Sequence, residues 1–153
     1  GFSKSYAMTG WRVGYVCGPK EIIAGMTKIH QYTIMCVSIT SQMAACEALH
    51  IGKNSVEGMK REYRRRREFI VNGLNRIGLK CHMPQGAFYA FPSIKNTKLD
   101  SLEFAKKLLK EEKVAVVPGS AFGDNFRDYV RISYASSFDD LKEALIRIER
   151  FLK

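Results

Sequence analysis

Apolar residues recur at helical spacing over residues 19–35, where Ile22, Met26, Ile29 and Thr33 share a face. Pro19 suits a first helical position and Glu21 favours the positive end of the helix dipole. A second helix is predicted from Thr40 or Ser41 to Ile51, closed by Gly52. Its nearly all-apolar surface (Met43, Ala44, Ala45, Cys46, Ala48, Leu49) predicts packing on several sides. Asn54 or Ser55 can cap a long third helix to about Ile77, with Gly78 just past its end. Along it Val56, Met59, Tyr63, Ile70, Leu74 and Ile77 form one apolar stripe, and most of the arginines fall on other faces.

After residue 78 the texture changes to short strands and turns. Strands are predicted at residues 79–83, 87–91, 114–117 and 129–134, the third stopped by Pro118-Gly119. Alternation near the start predicts a further strand over residues 11–17, ended by Gly18-Pro19. Asp100-x-x-Glu103 opens a helix to about Glu112, and Ser137-x-x-Asp140 opens a last one with Leu141, Leu145, Ile148 and Leu152 inward. The reading is α/β: residues 53–153 form a self-contained unit, and the burial that the second helix predicts needs a larger body than the residues before it provide.

Composition narrows this further. With 46% hydrophobic and 26% charged residues, the chain can bury a core. No apolar run approaches the ~18 residues that cross a bilayer, so no membrane partner is expected. Cys17, Cys36, Cys46 and Cys81 are far apart and lack metal-ligand spacing. They are read as buried, reduced thiols of a cytoplasmic protein, with no metal site. The formal charge of +10 raises polyanions as partners, and Lys60, Arg61, Arg64, Arg65, Arg66, Arg67 and Arg76 concentrate it. Only Tyr63 interleaves that run, so it is read as a solvated helix face and no nucleic-acid partner is expected.

The chemistry concentrates in Gly1-Phe2-Ser3-Lys4-Ser5-Tyr6-Ala7-Met8-Thr9-Gly10-Trp11-Arg12-Val13-Gly14. Taken bare, this is a lysine in a short turn followed by an arginine before a strand. Every position from Gly1 to Gly14 satisfies the cofactor-lysine signature, and the segment resembles that of class I/II aminotransferases, fold type I enzymes dependent on pyridoxal 5'-phosphate (PLP). The resemblance implies that Lys4 is the catalytic lysine that forms an aldimine with PLP and then moves the substrate α-proton. It implies that Arg12 holds the cofactor phosphate with its guanidinium fork. Where many members have a phosphate-binding serine, this chain has Gly1, which brings no hydroxyl.

A second anchor lies in Tyr129-Val130-Arg131-Ile132-Ser133-Tyr134. An arginine inside an apolar, alternating strand demands a partner, either a structural carboxylate or a ligand. The segment resembles the family's R-[IL]-[SA] strand, which implies that Arg131 binds the substrate α-carboxylate. Pro84-Gln85-Gly86-Ala87-Phe88-Tyr89 and Val117-Pro118-Gly119-Ser120-Ala121-Phe122-Gly123 resemble two further family loops. His30, His50 and His82 are isolated, without a nucleophile or metal-ligand spacing; Tyr6, Tyr32 and Tyr89 are read as packing or surface residues, with lining of the pocket as the alternative.

The resemblance implies the C-terminal part of a fold type I transferase: residues 1–52 as a remnant of the large PLP-binding domain, residues 53–153 as the small domain. Its full-length parent is expected to be a homodimer that moves an α-amino group from an amino acid to a 2-oxo acid. The acidic partner of the pyridinium nitrogen, the ring stacked on the cofactor and the Gly/Ser phosphate loop precede the lysine in the family. The piece alone is therefore expected to be inactive, to bind PLP weakly, and either to self-associate through unpartnered apolar faces over residues 11–51 or to be loosely ordered in its N-terminal part. A PLP-dependent carbon–sulfur β-lyase and an aminotransferase-like transcription regulator of the same fold remain as alternatives.

Overall fold

A computed structural model describes residues 1–153. Two compact units emerge, Gly1–Lys60 and Arg61–Lys153, and the division falls within a helix. The first unit holds α1 (Phe2–Ser5), a 3₁₀ turn Thr9–Trp11, α2 (Lys20–Thr33), α3 (Ile39–Ile51) and the start of α4 (Lys53–Arg76). The second holds the rest of α4, then β1 (Tyr89–Ala90), α5 (Ser101–Glu112), β2 (Val117–Pro118), β3 (Val130–Ser133) and α6 (Phe138–Phe151).

Local chemistry explains where the helices of the second unit start. The Asp100 carboxylate accepts from the amides of Leu102 and Glu103 at 2.8 and 2.9 Å, capping α5. Ser137 Oγ accepts from the Asp140 amide at 3.1 Å and caps α6. Past α4 the chain turns at Gly78, whose φ of 90° is the left-handed conformation that glycine adopts without penalty. The amide of Glu103, with that of Leu102 and the charges of Arg127 and Lys106 behind it, holds the Asp100 carboxyl below its ordinary range. A depressed folded-state pKa means the contribution is present above the unfolded value, about pH 4, and is lost as pH falls through the folded value. Asp100→Asn keeps a capping oxygen that does not titrate. Its thermal midpoint is expected to fall less below about pH 4 than that of the wild type; superimposable midpoint-against-pH curves would contradict the cap's electrostatic role.

One apolar cluster holds the second unit together. Ile70, Val71 and Leu74 from α4 meet Phe104 and Leu108 from α5, Val130 and Ile132 from β3, and Leu141, Leu145 and Ile148 from α6. Each such fully buried side chain is worth roughly 1.5–3 kcal/mol relative to exposure. At Gly73, α4 runs so close to Leu145 that a Cβ would displace its side chain.

The sheet is small and antiparallel, in the order β1-β3-β2. Tyr89 pairs with Ser133 and Ala90 with Ile132; Val117 pairs with Arg131 and Pro118 with Val130. The alternating β3 takes the centre because Val130 and Ile132 point into the core, leaving Arg131 and Ser133 on the other face. Pro118, with no amide hydrogen to donate, sits on an edge strand, where it costs no ladder bond.

Several expectations need correction. Residues 79–83 form no strand, because the Asn75 side chain takes the place of a ladder. Its Nδ2 donates to the Cys81 carbonyl at 2.9 Å, and its Oδ1 accepts from the Cys81 amide at 3.0 Å. Residues 11–17 form no strand either: Trp11 ends a 3₁₀ turn, Arg12 is left-handed, and no strand of the chain pairs with residues 13–17. The second predicted helix, α3, buries only Ser41 and Ala45 and leaves most of its remaining apolar surface unpartnered, in line with the unpartnered faces expected over residues 11–51. Of the cysteines, only Cys81 is buried; Cys17, Cys36 and Cys46 are exposed. The cause is shared, since Ile22, Ile29, Met43 and Leu49 are also more than half exposed and no apolar layer of this chain covers them.

The arginine run likewise divides. Arg61 and Arg64 are solvated, but Arg66 Nη1 donates to the Ser136 carbonyl at 2.7 Å and Arg67 Nη1 to that of Pro84 at 2.9 Å. Arg65 lies 4.1 Å over the Phe138 ring. No helix is long and apolar enough to cross a membrane.

Candidate active site

Lys4 is exposed on α1, a single turn anchored from beneath by Phe2, which is buried with Met8 and Ala45. The chain reverses sharply after it. Ala7 adopts a left-handed φ of 54° and Arg12 one of 51°, conformations that cost a non-glycine residue roughly 1–2 kcal/mol each. Two hydrogen bonds close the loop between them. Thr9 Oγ1 donates to the Ser3 carbonyl at 2.8 Å, and Arg12 Nη1 donates to the Thr9 carbonyl at 2.8 Å. Ser41 on α3 fixes the far side, donating from Oγ to the Trp11 carbonyl at 2.7 Å. Lys4 and Arg12 therefore share one hydrogen-bonded turn, on which Arg12 is exposed and pairs with no carboxylate.

Arg131 lies in the second unit, at the centre of the sheet. Neither the structural carboxylate nor any other acidic side chain meets it: no carboxylate oxygen lies within 4.0 Å of its guanidinium. Its guanidinium carbon lies 4.3 Å from the centre of the Tyr89 ring and 4.8 Å from that of Phe122. Tyr89, read from its sequence context as a packing or surface residue, packs here against the Arg131 guanidinium. Its place beside Arg131 depends on the β1–β3 register, which residue spacing alone does not fix. Phe122 ends the 3₁₀ turn Gly119–Phe122, and the buried Gly119 admits no side chain against the Phe126 and Tyr129 carbonyls.

Tyr6 is half-buried with its ring 5.3 Å from that of Phe2, whereas Tyr32 is 90% exposed. Burial pushes the Cys81 thiol and the Tyr134 phenol above their ordinary ranges, so both stay protonated at neutral pH. No cluster of three or more His, Cys, Asp or Glu side chains could hold a metal ion.

The family profile described as aminotransferase class I and II matches residues 1–148. The chain belongs to that family. Among its relatives, the Bacillus subtilis protein YugH is 55% identical over 152 residues, covering 99% of this chain and 39% of the relative. An aspartate aminotransferase of Pyrococcus abyssi is 49% identical over 155 residues, covering 100% of this chain and 40% of the relative. The solved structure of the aromatic aminotransferase from Pyrococcus horikoshii superposes with a TM-score of 0.96 at 49% identity, covering 99% of this chain and 41% of that one. This aminotransferase-family chain thus spans about two fifths of the length of the proteins it resembles. Its α/β architecture, a short sheet with flanking helices, is that of the matching part of fold type I aminotransferases.

Proposed function

We propose that the whole protein containing this chain is an aminotransferase that moves the α-amino group of an amino acid to a 2-oxo acid with PLP as cofactor. The observation that carries this reading is the single turn that bears both Lys4 and Arg12 and is closed by the Thr9–Ser3 and Arg12–Thr9 hydrogen bonds. Its donor set fits the group. An exposed amine can engage an aldehyde, and an arginine without a carboxylate partner can engage a doubly charged phosphate bidentately. PLP, when bound, supplies the electron sink that makes an amino acid's α-proton removable.

This chain's residues divide the remaining work. Lys4 Nζ takes the proton from the substrate Cα and gives it back later in the cycle. Arg12 holds the phosphate with the guanidinium N–H groups that Thr9 leaves open. Arg131 orients the substrate by its α-carboxylate, which an arginine fork matches better than a lysine point charge. We assign residues 1–52 to the cofactor-holding domain and 53–153 to the small domain.

Borohydride reduction of the full-length protein with PLP, followed by peptide mapping, is expected to leave the pyridoxyl group on Lys4. A label on another lysine, or on none, would sink the proposal.

A further inference from the structure

We infer that Tyr89 and Phe122 are positioning residues that hold the Arg131 guanidinium ready for a substrate carboxylate. The inference rests on the proposed role of Arg131 and adds the groups through which that role is exerted. An arginine on a sheet surface is ordinarily fixed by an acidic neighbour; Arg131 has none, and two aromatic rings take that place. Both distances, 4.3 and 4.8 Å, lie well inside the ~6 Å at which a ring's negative face attracts a guanidinium.

The register explains how each neighbouring strand delivers one ring. Tyr89 pairs with Ser133, which puts it diagonally next to Arg131 on β1. On the other side Val117 pairs directly with Arg131, and the turn after β2 carries Phe122 back towards it. Both rings are themselves supported. Phe88 lies 4.6 Å from Tyr89, and Phe91 meets Phe122 edge-on at 6.0 Å while stacking on Tyr129 at 5.3 Å. Gly119 adds to this by letting the turn press against the Phe126 and Tyr129 carbonyls.

Rings and carboxylates hold an arginine differently. A carboxylate partner would occupy the N–H edge that the substrate needs and would cancel the charge. An aromatic ring restrains the plane of the guanidinium and leaves both its charge and its donors available. The ordering cost of a long side chain is then met before the ligand arrives, which is how preorganisation raises affinity.

The test uses the full-length PLP-loaded enzyme with whichever of aspartate, phenylalanine or alanine it turns over fastest, and with the α-carboxamide of that same amino acid. The readout is the ratio of kcat/KM for acid over amide. Both values come from one preparation, so the ratio is insensitive to loss of folded enzyme. Arg131→Leu is expected to collapse the ratio towards one. Phe122→Leu and Tyr89→Leu are each expected to lower it roughly three- to thirtyfold, mainly through KM for the acid. Tyr89→Phe and Phe122→Tyr keep a ring and are expected to keep the wild-type ratio.

If Arg131→Leu leaves the ratio unchanged, the carboxylate role of Arg131 falls and the inference with it. If Arg131→Leu collapses the ratio while either ring-removing variant leaves it within twofold, the carboxylate role stands and the aromatic positioning is overturned. A drop in Tyr89→Phe as large as in Tyr89→Leu also overturns it, because the hydroxyl rather than the ring would then be responsible.

Discussion

Replacing Lys4 with alanine in the full-length protein is expected to lower amino transfer by at least about four orders of magnitude, because in the proposed chemistry one side chain serves as both covalent partner and proton carrier. Lys4→Arg sharpens the result. Arginine keeps the positive charge at the same exposed position of α1 but stays protonated and cannot act as a base. If Lys4 served only to pair with an anion, Lys4→Arg would recover most of the activity; the proposed chemistry requires it to be as dead as Lys4→Ala. Amino transfer that depends on added 2-oxo acid is the assay, with thiol and pyruvate release followed in parallel to detect lyase chemistry. Activity within tenfold of wild type in either variant would contradict the assignment.

Phe104→Ala should produce the largest loss of stability. The ring is 1% exposed and meets Phe151 edge-on at 5.3 Å, in the same cluster as Leu74, Leu108 and Tyr134. Truncating a ring so enclosed removes its transfer free energy and leaves a cavity, together about 3–5 kcal/mol. That is a large share of the ~5–15 kcal/mol that a whole domain usually has. Urea unfolding of the full-length protein is expected to show a marked fall in midpoint. Phe122→Leu, at a position 44% exposed, should shift it little. Equal shifts in the two variants would mean that the core has been misplaced.

The family is the easiest thing to read from the chain, since Lys4, Arg12 and Arg131 lie in segments whose residue order is itself distinctive and the family profile matches residues 1–148. Helices are nearly as clear. The 3.6-residue rhythm and the capping side chains of Asp100 and Ser137 are local properties, and α5 and α6 begin where those caps predict. The failures share a non-local cause. In residues 79–83 the backbone groups of Cys81 are taken by a side chain on the preceding helix, Asn75, rather than by a neighbouring strand. Whether Cys17, Cys36 and Cys46 are buried depends on which groups lie over them, and apolar flanks do not reveal that. The rings beside Arg131 are hidden for the same reason: Tyr89 and Phe122 are distant in sequence and come together only through strand register.

The two adjacent arginines near the middle of α4 have a mechanical consequence. Arg66 grips the segment leaving β3 and Arg67 the segment leading to β1, while the Tyr134 hydroxyl donates to the Ala87 carbonyl and laces the two segments together. Helix and sheet are thereby tied to each other. Within the second unit the strand that carries Arg131 is therefore braced against the helix from both of the segments that flank its pairing with β1.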